Sequence, residues 1–168
     1  MFKSIFAVIL LIMLTGCDNW GDYQYSSEKF KFKITFPDKW EVWDKSDDAR
    51  DFLQGSIPSK PESKIELIAI RTAPDLHVNE LYPTFESGGD DAFEKNEFAV
   101  DEKGTFSASN GEGRFIKAHW EDDKGVIRCM NFLFVGNRYQ MNINCVMREE
   151  DYMTNEADFV KMVRRLQL

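Results

Sequence analysis

The sequence has few of the residues and motifs on which enzyme active sites depend. Among 168 residues there are two histidines, His77 and His119, which lie far apart and have no evident triad partner. The patterns G-x-S-x-G, H-E-x-x-H, C-x-x-C and G-x-x-x-x-G-K-[ST] do not occur. Nothing in the sequence therefore indicates a nucleophile, a zinc or redox site or a phosphate-binding loop, and we predict a protein that is not an enzyme and needs no cofactor.

The acidic clusters also lack the spacing of a metal site. They lie at Asp47-Asp48, Asp90-Asp91 and Glu121-Asp122-Asp123. Calcium loops place their oxygen ligands at alternate positions of a 12-residue segment, and none of the three clusters fits that pattern. We therefore interpret them as solvated turns and predict no bound metal.

Basic residues are outnumbered: 21 Lys and Arg stand against 29 Asp and Glu, which gives a formal net charge of -8. Nucleic acids and anionic lipid surfaces are bound by basic patches, so the acidity argues against both as partners. A basic protein partner remains open. Net negative charge also keeps a protein soluble, whatever it binds.

A hydrophobic run long enough to span a membrane is missing as well. The longest, Ile5 to Leu14, is preceded by Lys3 and is about half of the roughly 20 residues that a transmembrane helix needs. It ends in Leu14-Thr15-Gly16-Cys17. These four residues resemble the lipobox of bacterial lipoproteins, although an ordinary secretory signal with a chance cysteine is the alternative.

The lipobox resemblance implies that Cys17 carries a diacylglycerol, that the signal is cut before Cys17 and that the new amino terminus is acylated. Two or more acyl chains, such as palmitate, make membrane attachment effectively permanent. The expected organisation is a signal peptide at 1–16, the acylated cysteine and a polar tether at 17–29, and one domain at 30–168. Asp18 and Asn19 resemble the enterobacterial signal that retains lipoproteins at the inner membrane, so we expect its periplasmic face more than the outer membrane.

The predicted domain begins with a strand in which Phe30, Phe32, Ile34 and Phe36 alternate with polar residues. Pro37 and Asp38 follow as a turn, and Trp40 begins a second strand. The pattern F-x-I-x-F-P-x-x-W resembles the start of the PsbP-like family, which includes small lipoproteins of the DcrB type. Members usually have glycine where this chain has Lys39.

The next part of the chain is less regular. The stretch after Asp44 is rich in turn residues, and we predict a loop with at most a short helix at Ala49 to Gln54. Lys64 to Thr72 is a strand with apolar residues on both faces, which is typical of a central strand covered on two sides. Asn79 is expected to cap a helix that runs to about Phe85.

From Phe98 onward the sequence predicts a β-meander and a final helix. Its strands are expected at Phe98–Glu102, Thr105–Ser109, Gly113–Glu121, Val126–Val135 and Arg138–Met147. Thr154 or Asn155 is expected to cap the helix, in which one apolar stripe contains Phe159, Met162, Val163 and Leu166. A terminal F-x-x-h-x-x-x-L helix, h being apolar, again resembles the PsbP-like family.

The family resemblance implies an α+β fold, an α/β/α sandwich with a mostly antiparallel sheet and an amphipathic C-terminal helix. The residue patterns favour the same layering, because a strand that is apolar on both faces needs cover on both sides. A lipocalin-like β-barrel of eight strands is the alternative.

Cys129 and Cys145 remain as a candidate disulfide in an oxidising compartment. If Gly136-Asn137 is a two-residue turn, Cys129 lies opposite Asn144 and no bridge forms. If the loop spans Gly136 to Arg138, Cys129 lies opposite Cys145 and a bridge is allowed. Both alternatives stay open, with buried free thiols as the outcome of the first.

The predicted function is that of a membrane-anchored periplasmic lipoprotein that acts as a non-enzymatic binding or accessory module of the cell envelope. It would meet the membrane through its N-terminal acyl chains and bind a protein partner, but no nucleic acid. The alternative is an immunity or inhibitor lipoprotein that neutralises a periplasmic toxin or lytic enzyme.

Overall fold

The structure is a computed structural model, and it describes residues 23–72, 80–86, 98–136 and 138–168. Seven strands form one antiparallel sheet in the order β3-β4-β5-β9-β8-β7-β6, and β1 and β2 form a separate hairpin. The strands are β1 Tyr23–Ser26, β2 Lys33–Phe36, β3 Glu41–Asp44, β4 Arg50–Ile57, β5 Lys60–Arg71, β6 Ala99–Ser107, β7 Glu112–Asp122, β8 Gly125–Gly136 and β9 Tyr139–Arg148. Helix α1 covers 80–86, and α2 covers Glu149–Arg164.

The main core lies between the sheet and a layer made by α2 and the β1-β2 hairpin. Alternate residues of the central strands face this layer because side chains in a strand alternate between its two faces. Phe30, Phe32, Ile34 and Phe36 are buried as the predicted alternation implies, and so is Trp40, but the strand covers only Lys33–Phe36 and Phe30 lies in the turn before it. The core also contains Leu67, Met130, Phe132, Phe134, Met141, Ile143, Phe159 and Val163.

The opposite face of the sheet is covered by α1. Leu81 and Phe85 of this helix border a groove together with Ile68, Ile70 and Leu133 of the sheet. The prediction that the strand at 64–72 is central and apolar on both faces is therefore confirmed. The protein is an α/β/α sandwich, and the sheet is open, because β3 and β6, its two edges in the described chain, do not pair. The lipocalin-like barrel is wrong.

The amino-terminal hairpin shortens the expected tether. Tyr23–Ser26 was expected to be part of a polar linker, but it pairs with β2 in the register Tyr23 opposite Phe36 and Ser26 opposite Lys33. Tyr25 packs against Phe32 with 5.8 Å between ring centroids, and this contact explains why the segment joins the domain. The lipobox residues lie outside the described residues.

The loop and short helix predicted after Asp44 are wrong, because Arg50–Ile57 is an eight-residue strand. It pairs with β5 along almost its whole length. Leu53 and Asp51 point into the core, and Asp51 is stabilised there by the ammonium of Lys29 at 3.1 Å. Because Asp51 is charged, the buried face of this strand does not show the alternation of apolar and polar residues on which strand prediction depends.

The two strands predicted at Phe98–Glu102 and Thr105–Ser109 are one strand, β6, with an irregularity in its register between Val100 and Glu102. Strands β7, β8 and β9 lie where the meander was predicted. Residues 137–138 connect β8 to β9, and Gly136 pairs with Tyr139.

This pairing gives a hairpin register that neither sequence alternative contains. Cys129 lies opposite Val146, and Cys145 lies opposite Met130. Successive residues point to opposite faces, so the two thiols lie on opposite sides of the sheet. Both are free and buried, and the cross-strand bridge is not formed.

Helix α2 begins at Glu149, several residues before the predicted cap. Thr154 and Asn155 lie inside the helix, where their side chains donate to the carbonyls of Glu150 and Asp151. Three acids in the first turn stabilise the helix start through the helix dipole. The predicted apolar stripe is confirmed for Phe159, Met162 and Val163, which are buried; Leu166 is also buried but lies after the end of the helix at Arg164. Within the described ranges, no helix is long and apolar enough to cross a bilayer.

Candidate functional site

The candidate site is a cleft where four connections of the fold meet. The turn between β1 and β2, the end of β5, the β6-β7 turn and the β8-β9 turn surround a volume of about 780 Å³. That volume is within the range of small-molecule sites. The lining residues are Lys29, Phe30, Lys31, Arg71, Asn110, Gly111, Glu112, Val135, Gly136, Arg138, Tyr139 and Leu168.

Positive charge dominates this lining. It contains four basic side chains, Lys29, Lys31, Arg71 and Arg138, and a single acidic side chain, Glu112. The carboxylate of Glu112 lies 3.1 Å from the guanidinium of Arg114, which also pairs with Glu86 at 3.2 Å, so the charge of Glu112 is only partly compensated. The cleft is therefore a basic region in a protein whose net charge is -8.

The two lysines of the cleft have acidic partners, whereas the two arginines do not. Lys29 lies 3.1 Å from Asp51, and Lys31 lies 3.0 Å from Glu28. Among the described residues, neither Arg71 nor Arg138 has an acidic group within 4.0 Å. Both arginines are exposed. Their charge is free to act on a ligand.

One wall of the cleft is aromatic. The rings of Phe30 and Tyr139 lie 5.7 Å apart, and the ammonium of Lys29 lies 5.3 Å from the centre of the Phe30 ring. Burial raises the pKa of Tyr139, so its hydroxyl stays neutral at physiological pH. Gly136 lets this ring pack closely, since a Cβ there would lie 2.1 Å from the Tyr139 ring.

The backbone of the cleft has unusual conformations at two of its basic residues. Lys31 has φ 61° and Arg138 has φ 68°, and no other non-glycine residue of the described chain has a positive φ. Lys31 closes a turn in which its amide donates to the carbonyl of Ser27, and the carbonyl of Arg138 accepts from the amide of Thr72. This region favours glycine, and a side chain there is strained by about 1–2 kcal/mol.

A second polar cluster joins β6, β7, β8 and the start of α2. Nδ1 of His119 lies 2.7 Å from Asp101, and Arg128 lies 3.3 Å from Asp101 and 2.6 Å from Glu149. Nearby, Lys117 lies 3.0 Å from both Glu102 and Glu156. Each charge in the cluster has an opposite charge beside it, so we interpret it as the contact that fixes edge strand β6 and helix α2 to the sheet.

The candidate residues from the sequence that lie within the described ranges do not form a common site. Cys17, Asp18, Asn19 and His77 lie outside the described residues. Burial raises the pKa of Cys129 to about 11 and that of Cys145 well above the ordinary thiol range. In the described chain, no group of three His, Cys, Asp or Glu side chains is arranged to hold a metal ion.

The acidic turn at 121–123 is tied to the domain. The guanidinium of Arg148 donates to both carboxylate oxygens of Asp122, at 2.6 and 2.8 Å. These bonds and the backbone amide of Lys124 lower the pKa of Asp122 to about 2. Of the three acidic residues in this turn, Asp122 is therefore paired with a basic residue of the same protein.

The basic cleft could not be found from sequence spacing. Its lining comes from five separate segments, and although several of them were predicted as strands or turns, no sequence pattern indicated that they meet. The one available signal was local: Lys29 and Lys31 flank a buried phenylalanine at the start of the domain.

Solved structures show what this fold is similar to. The solution structure of cyanobacterial PsbP (CyanoP) from Synechocystis sp. PCC 6803 matches with a TM-score of 0.69 and 10% sequence identity, over 91% of this chain and 95% of that chain. The crystal structure of LpqN, involved in cell envelope biogenesis of Mycobacterium tuberculosis, matches with a TM-score of 0.60 and 10% identity, over 88% of this chain and 90% of that chain.

A third structure, from Bacteroides thetaiotaomicron, has a TM-score of 0.56 and 7% identity, over 88% of this chain and 48% of that chain. No protein-family model and no curated protein matches the sequence. The fold is thus PsbP-like. At these identities the likeness shows the fold alone, so function has to be argued from the site.

Proposed function

We propose that this protein is a lipid-anchored accessory module of the bacterial cell envelope, and that it binds its partner in the basic cleft without catalysing a reaction. The observation that carries the proposal is the cleft itself, which joins unpaired arginines to an aromatic wall. The PsbP-like fold and the structural likeness to LpqN, a protein involved in cell envelope biogenesis, support the location. The lipobox at 14–17 supplies the anchor.

The position of the anchor agrees with a cleft that faces the periplasm. Cys17 is six residues before Tyr23, so covalent geometry limits their separation to about 22 Å. Tyr23 pairs with Phe36 at one end of the β1-β2 hairpin, whereas Lys29 and Lys31 lie in the turn at its other end. The cleft is therefore at the end of the hairpin that is remote from the point of attachment.

Metabolic labelling tests the anchor. Cells that express the full chain with radiolabelled palmitate should yield a labelled protein, and the Cys17→Ser variant should yield none. Membrane separation on a density gradient then tests the sorting interpretation. In an enterobacterial host we expect the wild-type chain in inner-membrane fractions and Asp18→Ser in outer-membrane fractions. A wild-type chain without label would contradict the anchored function.

Cross-linking in intact cells tests the accessory role. We expect a protein partner to be captured by the wild-type chain and lost from Arg71→Gln/Arg138→Gln. The control is Lys64→Gln/Lys124→Gln, which removes the same number of charges from exposed positions outside the cleft. Capture that is equal in wild type and Cys17→Ser, or absent from both, would argue against a membrane-proximal accessory module.

A further inference from the structure

We infer that the basic cleft recognises an oxyanion, phosphate or carboxylate, that is carried on an apolar body. This inference rests on the proposed function, because it names the chemistry that the proposed binding site selects. The net charge of the chain argues against an anionic partner, because acidic residues outnumber basic ones by eight. The cleft corrects that expectation, since unpaired positive charge is concentrated there.

The first argument is the position of the two arginines. Arg71, at the end of β5, pairs in register with Tyr139, and Arg138 immediately precedes Tyr139. The amide of Thr72 donates to the carbonyl of Arg138 at 3.1 Å, which holds the two segments side by side. Two guanidinium groups on adjacent backbone segments can present two planar sets of donors to one oxyanion, which is the geometry that carboxylate and phosphate accept bidentately.

The second argument is that the positive charge is not satisfied within the described protein. Lys29 and Lys31 each have a carboxylate at about 3 Å: the Lys29–Asp51 pair is largely buried and holds the turn that forms one side of the cleft, whereas the Lys31–Glu28 pair is exposed to solvent. Glu112, the acid of the lining, lies against Arg114. Arg71 and Arg138 are the basic side chains of the lining that have no acidic partner among the described residues, and an anion in the cleft would supply one.

The third argument is the strained backbone at Arg138. A two-residue hairpin connection favours positive φ, which glycine or asparagine adopts readily. Here Arg138 occupies that conformation, with φ 68°, and points its side chain into the cleft lining. Strained residues persist where the surrounding structure and a function require them. An arginine in this turn orients a guanidinium that glycine could not provide.

The fourth argument concerns the rest of the ligand. Phe30, Tyr139, Val135 and Leu168 give the cleft apolar walls, and its volume of about 780 Å³ exceeds what a bare phosphate would fill. The rings of Phe30 and Tyr139 are buried, so the half-buried side chains of Val135 and Leu168 are the ones that favour an apolar group attached to the anion. The shared chemistry fits a soluble organic anion or the headgroup of a lipid.

Titration of the full acylated chain, held in phosphatidylcholine nanodiscs, with phenyl phosphate and with benzoate tests the inference. Amide resonances of Gly136 and Tyr139 should shift with saturation for at least one probe, and neutral benzyl alcohol should leave them unchanged. The affinity of Arg71→Gln/Arg138→Gln should fall by about tenfold or more, as expected for loss of charge-assisted hydrogen bonds. Lys64→Gln/Lys124→Gln should bind like the wild type.

A second arm identifies the source of the anion. Capture of phosphatidylglycerol vesicles by the nanodisc-held protein, lost in the double arginine variant, would indicate a lipid headgroup; probe binding without capture would indicate a soluble ligand. The inference is overturned if no anion shifts the amide resonances. It is also overturned if the double arginine variant keeps the thermal midpoint of the wild type and binds the probes with equal affinity. If palmitate labelling and cross-linking succeed while no anion binds, the oxyanion specificity fails and the accessory function stands.

Discussion

Arg138 combines an unfavourable backbone conformation with a position in the cleft. Its φ of 68° is one that L-residues with a Cβ adopt at a cost, and its exposed side chain has no acidic partner among the described residues. A residue that stabilised the fold would avoid this combination. We therefore interpret Arg138 as a residue retained for binding at some expense to stability.

Replacement of Arg138 by glycine tests that interpretation. We expect Arg138→Gly to raise the free energy of unfolding by up to about 1 kcal/mol, because glycine adopts positive φ without steric cost. Lys124→Gly is the control: Lys124 has no positive φ, and glycine there should lower stability by about 0.4–1 kcal/mol through the entropy of the unfolded chain. Urea denaturation measures both. Equal destabilisation by the two substitutions would contradict the strain argument.

The two thiols illustrate how burial controls reactivity. Burial raises the pKa of Cys129 to about 11 and raises that of Cys145 further from the ordinary range. The thiolate is the reactive form, so a raised pKa protects both residues at neutral pH.

Alkylation measures this protection. At pH 8 about one Cys129 in a thousand is a thiolate, as its raised pKa implies, so iodoacetamide should add to neither cysteine of the folded protein and to both after guanidinium unfolding. Since deprotonation creates the nucleophile, labelling of Cys129 should accelerate as the pH rises toward 11. Masses measured with and without reductant should be equal. A two-proton difference between them would show a disulfide.

Helix α2 stabilises the sheet through one face. Phe159 is 1% exposed and lies against Phe132 of β8, with 5.7 Å between ring centroids. Met153, on the same helix, is 71% exposed. The two residues allow the buried and exposed faces of one element to be compared directly.

Truncation of each side chain should give contrasting results. Phe159→Ala should lower the free energy of unfolding by about 3–5 kcal/mol, because it removes a large buried ring and leaves a cavity. Met153→Ala should change it by about 0.5 kcal/mol or less. Guanidinium denaturation followed by circular dichroism measures both. A Phe159→Ala loss as small as that of Met153→Ala would mean that α2 is not packed on the sheet as described.

The elements also show which features sequence patterns can predict. Periodicity located β2, β5, β7, β8, β9 and the stripe of α2, because each has apolar residues that repeat at the period of its structure. It missed β4, where Asp51 occupies a core position, and the start of α2, where Arg148 provides no side-chain cap. It missed the hairpin register because positive φ at Arg138 moved the turn by one residue. Prediction from local sequence fails where a residue distant in the chain determines the structure, as Lys29 does by pairing with the buried Asp51 of β4.

At the scale of the whole molecule, the net charge argues against an anionic ligand, whereas the local charge of the cleft favours one. The sum of -8 describes the average surface, whereas binding depends on the potential where side chains converge. The cleft is formed by segments that are distant in sequence, so only the fold reveals it. Candidate function was therefore less accessible to sequence analysis than fold class.

With the proposed anchor at Cys17, the hairpin geometry predicts how the domain is oriented on the membrane. Lys31 and Lys39 are exposed residues in the turns before and after β2, and Lys39 lies at the end where the chain enters from Cys17. A fluorophore placed at Lys39→Cys should be quenched more strongly by nitroxide lipids than one at Lys31→Cys. The buried native thiols should not interfere. Stronger quenching at position 31 would place the cleft against the membrane instead.

The irregularity in β6 has a consequence for the membrane attachment that we propose. Edge strands with free backbone groups can pair with those of neighbouring copies, and attachment to a surface increases the frequency of such encounters. In β6 the register shift between Val100 and Glu102 falls within the charged run Asp101-Glu102-Lys103, and the opposite edge, β3, is only four residues long. Both edges are thus poor templates for sheet extension, and neighbouring molecules can crowd together without forming aggregates.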